Sequence, residues 1–158
     1  MQRIPTQKGV AIVEFTIVLP LLLLLMLAIA EFGRALYQYN ALIKAVRDGA
    51  RFMSENAFLG DSQLPNDTAR LTEVKQLVAN GAIGAVACGA YGGACQDLPG
   101  FVTAHVNTPT LYQDAAGDYY VTVSSSAYTY QPMLYNLLPL TSIAVNIPLQ
   151  ASTTMRVL

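Results

Sequence analysis

Glu14 is the one charged side chain between Val10 and Ala30, in the run VAIVEFTIVLPLLLLLMLAIA. A charged side chain at the centre of a membrane helix costs about 2.5–3.5 kcal/mol on insertion scales. A segment that served only as an anchor would gain nothing from it, so Glu14 either has a specific role or sits at headgroup level. The other residues that could do chemistry are scattered. His105 is the only histidine, and the serines at 124 to 126 and several aspartates could complete a hydrolytic triad by composition alone. No G-x-S-x-G elbow or H-E-x-x-H pair accompanies them. Asp97, Asp114 and Asp118 lack the spacing of a calcium loop. The glycine-rich stretch GAYGGACQDLPG is not followed by the G-K-[ST] that would cradle a phosphate. The expectation is a protein that is not an enzyme, with no metal site and no cofactor, and with His105 an ordinary polar residue on a strand's wet face.

Cys88 and Cys95 lie close together in that same glycine-rich stretch, with no histidine near enough for a zinc site. They suit a small disulfide ring worth about 2–3 kcal/mol, which would place this part of the chain in an oxidising compartment. Two separate thiols in a reducing one is the other reading.

The chain has 158 residues, of which 53% are hydrophobic and 12% charged. The run from Val10 to Ala30 makes a helix of about 31 Å at 1.5 Å per residue, the thickness of a bilayer core. The charge-free stretch from Phe15 to Ala30 is slightly short alone, so the span draws in the turn that carries Glu14. Arg3 and Lys8 precede it, while Arg34, Lys44, Arg47 and Arg51 follow, so charge bias by itself does not orient the span. From Gln76 to Met155 there is no lysine or arginine, and the net charge is −1. Nucleic acid is therefore not an expected partner.

The helical pattern continues past the span to about residue 54. Phe32, Leu36, Tyr39, Ile43, Val46, Ala50 and Met53 recur with a period of about 3.5, the seam of a helix packed lengthwise on another element. Lys44 with Asp48 and Arg51 with Glu55 are opposite charges one turn apart on the polar face. Phe32, Tyr37 and Tyr39 fall where an interfacial aromatic belt would lie. Residues 56 to 66 read as a loop. A second helix is predicted from an N-cap at Asp67 or Thr68 to a stop at Asn80-Gly81, with AIGAVA as an extension. Beyond it, FVTAHV, DYYVTVSSSAYTY and IAVNIPLQASTTMRV alternate as strands, with a bulge at Ser124–Ser126 and an edge or break at Pro148. QPMLYNLLPL is predicted as a short helix over the sheet. The fold class is α+β: a long N-terminal helix, then a small antiparallel head with one extra helix.

Two export signals compete for the N-terminus. In one, Arg3 and Lys8 are the basic region and Ala28-Ile29-Ala30 the small-residue box of a secretory signal peptide. A binding module starting at Glu31 would then be released into the periplasm. In the other, KG–VAIVEF resembles the prepilin cleavage site of type IV pilus subunits, with Gly9 last in the leader, Val10 first in the mature chain and Glu14 fifth. A permanently anchored envelope protein, uncut at Met1, is a third reading.

The wider run KGVAIVEFTIVLPLLLLLMLAIAEFGRALYQYNAL resembles the TadE-like family, minor pseudopilins of the tight-adherence (Tad/Flp) pilus system. The matching residues are Gly9, Glu14-Phe15, Leu19-Pro20, the leucine run, Glu31-Phe32-Gly33-Arg34 and Ala45 to Arg51. Phe15 stands where a tyrosine is common. The resemblance implies a pilin-like layout: leader 1–9, transmembrane and assembly helix 10–31, its continuation over 32–55, and an α+β head over 56–158. It implies cutting between Gly9 and Val10 by a prepilin peptidase. It further implies an assembly role for Glu14 and Phe15, the Glu14 carboxylate pairing with the free amine of a neighbour's Val10. The implied partners are other pilin and pseudopilin subunits, the peptidase, an inner-membrane assembly platform and membrane lipid. The implied location is the bacterial inner membrane, with the head in the periplasm or carried into the pilus. In that layout the seam contacts neighbouring subunits near the membrane and packs on the chain's own sheet beyond about Tyr39.

Overall fold

A computed structural model of the chain describes residues 8–56, 67–84, 97–126, 128–132 and 147–157. It divides into two compact units, Met1–Ala35 with Pro132–Ala144, and Leu36–Gln131 with Val145–Leu158. Helix α1 runs over Lys8–Asn56 without a break.

Within the first unit, α1 exposes its side chains from Val10 to Ile29. Its most apolar window has a mean hydropathy of 2.7, and none of it is buried, so the helix is long and apolar enough to cross a membrane. A helix satisfies its own backbone polar groups, which is what lipid demands of a spanning segment. Pro20 lies inside it and lacks the amide hydrogen that would bond the Thr16 carbonyl. One turn earlier the Thr16 hydroxyl donates to the Ile12 carbonyl at 2.7 Å. Near the end of this unit Glu31 and Arg34 form an ion pair at 3.9 Å.

The second unit is built on the far half of α1. Leu42, Val46 and Ala50 are 0% exposed and Met53 2%, whereas Phe32 and Leu36 remain 66% and 46% exposed. The predicted seam is thus buried only in its C-terminal half, and the buried stripe is rotated to run through Gln38, Leu42, Val46, Gly49, Ala50, Met53 and Ser54. Gly49 lies on that stripe at a close approach. A Cβ there would collide with Val78 Cγ2 and lie 3.6 Å from Val74 Cγ1 and 3.7 Å from Val123 Cγ1. Helix α2 (Thr68–Asn80) can therefore lie almost on the α1 backbone, with a strand's valine beside it.

Helix α2 begins and ends where its capping residues dictate. The Asp67 carboxylate accepts from the amides of Ala69 and Arg70 at 3.1 and 3.2 Å and pairs with the Arg70 guanidinium at 3.1 Å. At the other end Gly81, with φ 75°, closes the helix in the left-handed region, so Ala82–Gly84 do not extend it, and the rest of AIGAVA lies outside the described residues. The Arg70 guanidinium also donates to the Asn56 carbonyl, joining the end of α1 to the start of α2. Of the two ion pairs expected on α1, Arg51–Glu55 forms at 3.0 Å. Lys44–Asp48 is not among the pairs formed by the described residues.

Five short strands complete the unit: β1 (Thr110–Gln113), β2 (Tyr119–Ser124), β3 (Tyr128–Tyr130), β4 (Ile147–Leu149) and β5 (Ser152–Arg156). They form a three-stranded antiparallel sheet in the order β1-β2-β5 and a two-stranded pair, β3-β4. Val121 and Val123 point into the core, while Tyr112 and Tyr120 stack on the other face with centroids 5.5 Å apart. The predicted bulge at Ser124–Ser126 is where the chain leaves one sheet for the other. Ser125 is buried there, its amide donating to the Ala151 carbonyl at 2.8 Å and its hydroxyl accepting from the Ala151 amide at 2.9 Å. The last predicted strand divides at the same place into β4 and β5, and Pro148 lies in β4 opposite Thr129. Ile143 and Val145 of that predicted strand, and most of QPMLYNLLPL, lie outside the described residues.

Two elements differ from expectation. FVTAHV is not a strand: Thr103–His105 is one 3-10 turn, and only Val106 is left as a bridge to Ser125. The His105 ring accepts a hydrogen bond from the Val102 amide, and so short an alternation cannot outweigh that local bond. Strand β1 is the opposite case, a strand with no apolar alternation of its own. It exists because Asp114 folds a tight turn, accepting from the amides of Ala116 and Asp118 at 2.9 Å each, with Gly117 at φ 92°. That turn returns the chain antiparallel to β2.

Candidate membrane and assembly segment

Gly9, Val10, Glu14 and Phe15 all fall in the first turns of α1 and all are exposed. Val10, Val13, Glu14 and Ile17 follow the spacing of one helix face and, with Gly9, line an open hollow along it. Nothing stands within 4 Å of where a Gly9 Cβ would be, so the Gly9–Val10 bond carries no bulk on its glycine side. Phe15 is one residue on from Glu14, about 100° around the helix, and does not share the hollow. The structure therefore brings Gly9, Val10 and Glu14 together and leaves Phe15 on the neighbouring face.

Among the described residues the Glu14 carboxylate has neither an ion pair nor a side-chain hydrogen bond. Helical side chains lean toward the N-terminus, so the Glu14 carboxylate points back along the axis toward Val10, about 6 Å of rise away. A cut before Val10 would put an ammonium and the positive end of the helix dipole on that side. Cys88 and Cys95 lie outside the described residues.

Two polar arrangements in the head carry no signal in the sequence. The Tyr37 hydroxyl donates to Asp97 Oδ1 at 3.0 Å, and that bond, with the carboxylate's negative charge, raises the Tyr37 pKa above its ordinary value. Tyr37 reads as a belt aromatic in sequence, and its partner is too distant along the chain for any motif to join them. Tyr120 is also raised, first by desolvation and then by the charges of Asp114 and Asp118, against the lowering effect of Arg156. Arg156 itself is held by Asp118 at 2.8 Å.

No curated protein and no solved structure matches the chain. The family model described as TadE-like protein matches residues 9–51 and ends before α2 and the sheets. That span opens at the glycine preceding Val10 and closes just past Gly49, where α1 and α2 touch. Over those residues, the far larger part of α1, the chain is similar to TadE-like proteins.

Proposed function

We propose that the chain is a minor pilin or pseudopilin needed to assemble a Tad/Flp type IV pilus. The observation that carries this reading is the TadE-like match over a helix whose unburied apolar segment, Val10 to Ala30, has its one acid a turn from Val10. Residues 1–9 are the leader, removed by a prepilin peptidase that recognises the unencumbered Gly9. Residues 10–31 hold the mature chain in the inner membrane, residues 32–55 continue the helix beyond it, and residues 56–158 form a periplasmic head. The partners are other pilin and pseudopilin subunits and the inner-membrane platform that gathers them.

In lipid an isolated carboxylate and an isolated ammonium are each costly, and side by side they neutralise one another. Glu14 of one subunit pairs with the new Val10 amine of the next. Parallel helices joined in this way are offset by about 6 Å along the axis, less the reach of the side chain. The exposed Phe32, Leu36 and Tyr39 continue the contact surface beyond the span. A strain lacking this chain is expected to make no Tad pili, with piliation restored by the full chain expressed in trans, as counted by electron microscopy of negatively stained cells. Unchanged piliation in the deletion strain would remove the assembly role.

A further inference from the structure

We propose that the open edge of strand β1 is a self-association site, at which two copies of this chain pair their β1 strands antiparallel with Tyr112 opposite the partner subunit's Tyr112. The proposal rests on the head alone and is independent of the pilus reading.

Along an antiparallel ladder, residues whose backbone groups bond the neighbouring strand alternate with residues whose groups turn away from it. The Asp114 amide donates to the Asp118 carbonyl at 2.9 Å, which sets the alternation for β1. Tyr112 and Thr110 therefore bond β2 opposite Tyr120 and Thr122, while the N–H and C=O of Leu111 and Gln113 point outward. Tyr119, opposite Gln113, obeys the same alternation, since its carbonyl accepts from the Val157 amide on the far side at 2.8 Å. The order β1-β2-β5 leaves β1 at one margin of the sheet. Among the described residues no backbone bond from another element reaches Leu111 or Gln113.

Natural sheets guard such an edge with charges, a proline, a bulge or a covering element. Strand β1, TLYQ, carries no charge and pairs with β2 without a bulge, whereas β5 at the other margin ends in Arg156. The β1 edge also complements itself. With Tyr112 on a two-fold axis, Leu111 faces the partner's Gln113 and Gln113 the partner's Leu111, and each facing pair exchanges both its bonds. Centring on Leu111 would set Gln113 against the partner's Pro109, which has no amide hydrogen. Centring on Gln113 would set Leu111 against the partner's Ala115, inside the turn that Asp114 closes. The Tyr112 register avoids both and places Asp114 against the partner's Thr110 rather than against a like charge.

The side chains suit that register. Tyr120 stacks on Tyr112 at 5.5 Å and 17°, and Tyr112 remains 48% exposed at the margin. Two Tyr112 residues facing across the axis form a non-hydrogen-bonded pair, with Cα atoms about 4.5 Å apart, so their rings meet. The stack then runs through both copies, and aromatic cross-strand pairs add to the backbone bonds. Because β1 is short, the pairing is weak in dilute solution and strong where one membrane holds both chains at high effective concentration.

The test is disulfide cross-linking of the full chain in native membranes, with copper–phenanthroline as oxidant. Tyr112→Cys is expected to give a linked dimer well above the wild-type background, because its Cα separation across the axis lies within disulfide range. Thr154→Cys, exposed on the β5 edge, is expected to link no more than wild type. Adding Gln113→Pro to Tyr112→Cys removes an outward donor from each copy and is expected to slow linking about tenfold or more. Adding Thr154→Pro, which removes an outward donor from the β5 edge, is expected to leave the rate unchanged. A Tyr112→Cys chain that links no faster than wild type or than Thr154→Cys would overturn the proposal, as would equal slowing by the two prolines. The cysteine comparison decides the matter alone if a proline variant does not fold.

Discussion

Glu14→Gln is expected to leave the chain in the membrane and abolish its incorporation with other pilus subunits. Glutamine is cheaper to place in lipid than an ionised glutamate, so insertion is not impaired. What the variant removes is the counter-charge for a neighbour's Val10 amine. Breaking a buried pair by deleting one partner costs about 3–5 kcal/mol, because the other charge is left uncompensated. At about 1.4 kcal/mol per factor of ten, that weakens association by two to three-and-a-half powers of ten. Glu14→Asp keeps the charge on a shorter arm and is expected to restore part of the loss. Co-purification of pilus components with the tagged chain from detergent-solubilised membranes, beside a membrane-fraction control, reads the effect. Normal co-purification of Glu14→Gln would mean that the carboxylate has no part in assembly.

Gly49→Leu is expected to cost the head about 2 kcal/mol or more and lower its melting temperature by roughly 10 °C. The first added atom already meets Val78 Cγ2, with Val74 and Val123 behind it, and leucine adds three further carbons into that space. A gain of up to about 1 kcal/mol from replacing a helical glycine offsets only part of this. Gly33 supplies the control on the same helix. Its Cβ position has nothing within 4 Å, so Gly33→Ala is expected to be neutral or slightly stabilising. Thermal unfolding of the full chain in mild detergent can be followed by near-ultraviolet circular dichroism, whose signal comes from tyrosine and phenylalanine since tryptophan is absent. Equal melting temperatures for Gly49→Leu and wild type would contradict the close approach of α1 and α2. A stability role also gives the Ala45–Arg51 part of the TadE-like match a physical reason that needs no partner.

The sequence was most legible where one local rule acts alone. The N-terminal helix follows from apolar length, and α2 from an aspartate cap and a glycine stop that satisfy the helix's own end groups. The switch of apolar face near Ser125 marked the passage between sheets, because strand alternation reports which side is buried. Legibility failed where tertiary contacts decide. The period-3.5 seam named Phe32, Leu36 and Tyr39 as equals of Val46 and Met53, yet burial is confined to the far half of α1, on a stripe that includes Gly49, where Val78 comes too close for any side chain. The bond from Val102 to His105 and the bond from Tyr37 to Asp97 join residues whose types announce nothing. In the candidate site, Gly9, Val10 and Glu14 could be placed on one face from helical spacing alone, since no packing intervenes on an exposed helix.

The central claim is that the mature chain begins at Val10, with its new amine available to Glu14. Intact mass and N-terminal sequencing of the chain from native membranes, with and without its cognate prepilin peptidase, test it most directly. The account predicts a start at Val10 that reverts to Met1 when the peptidase is absent. A start at Glu31 in both strains would mean that the helix carrying Glu14 is discarded on export, and would contradict it.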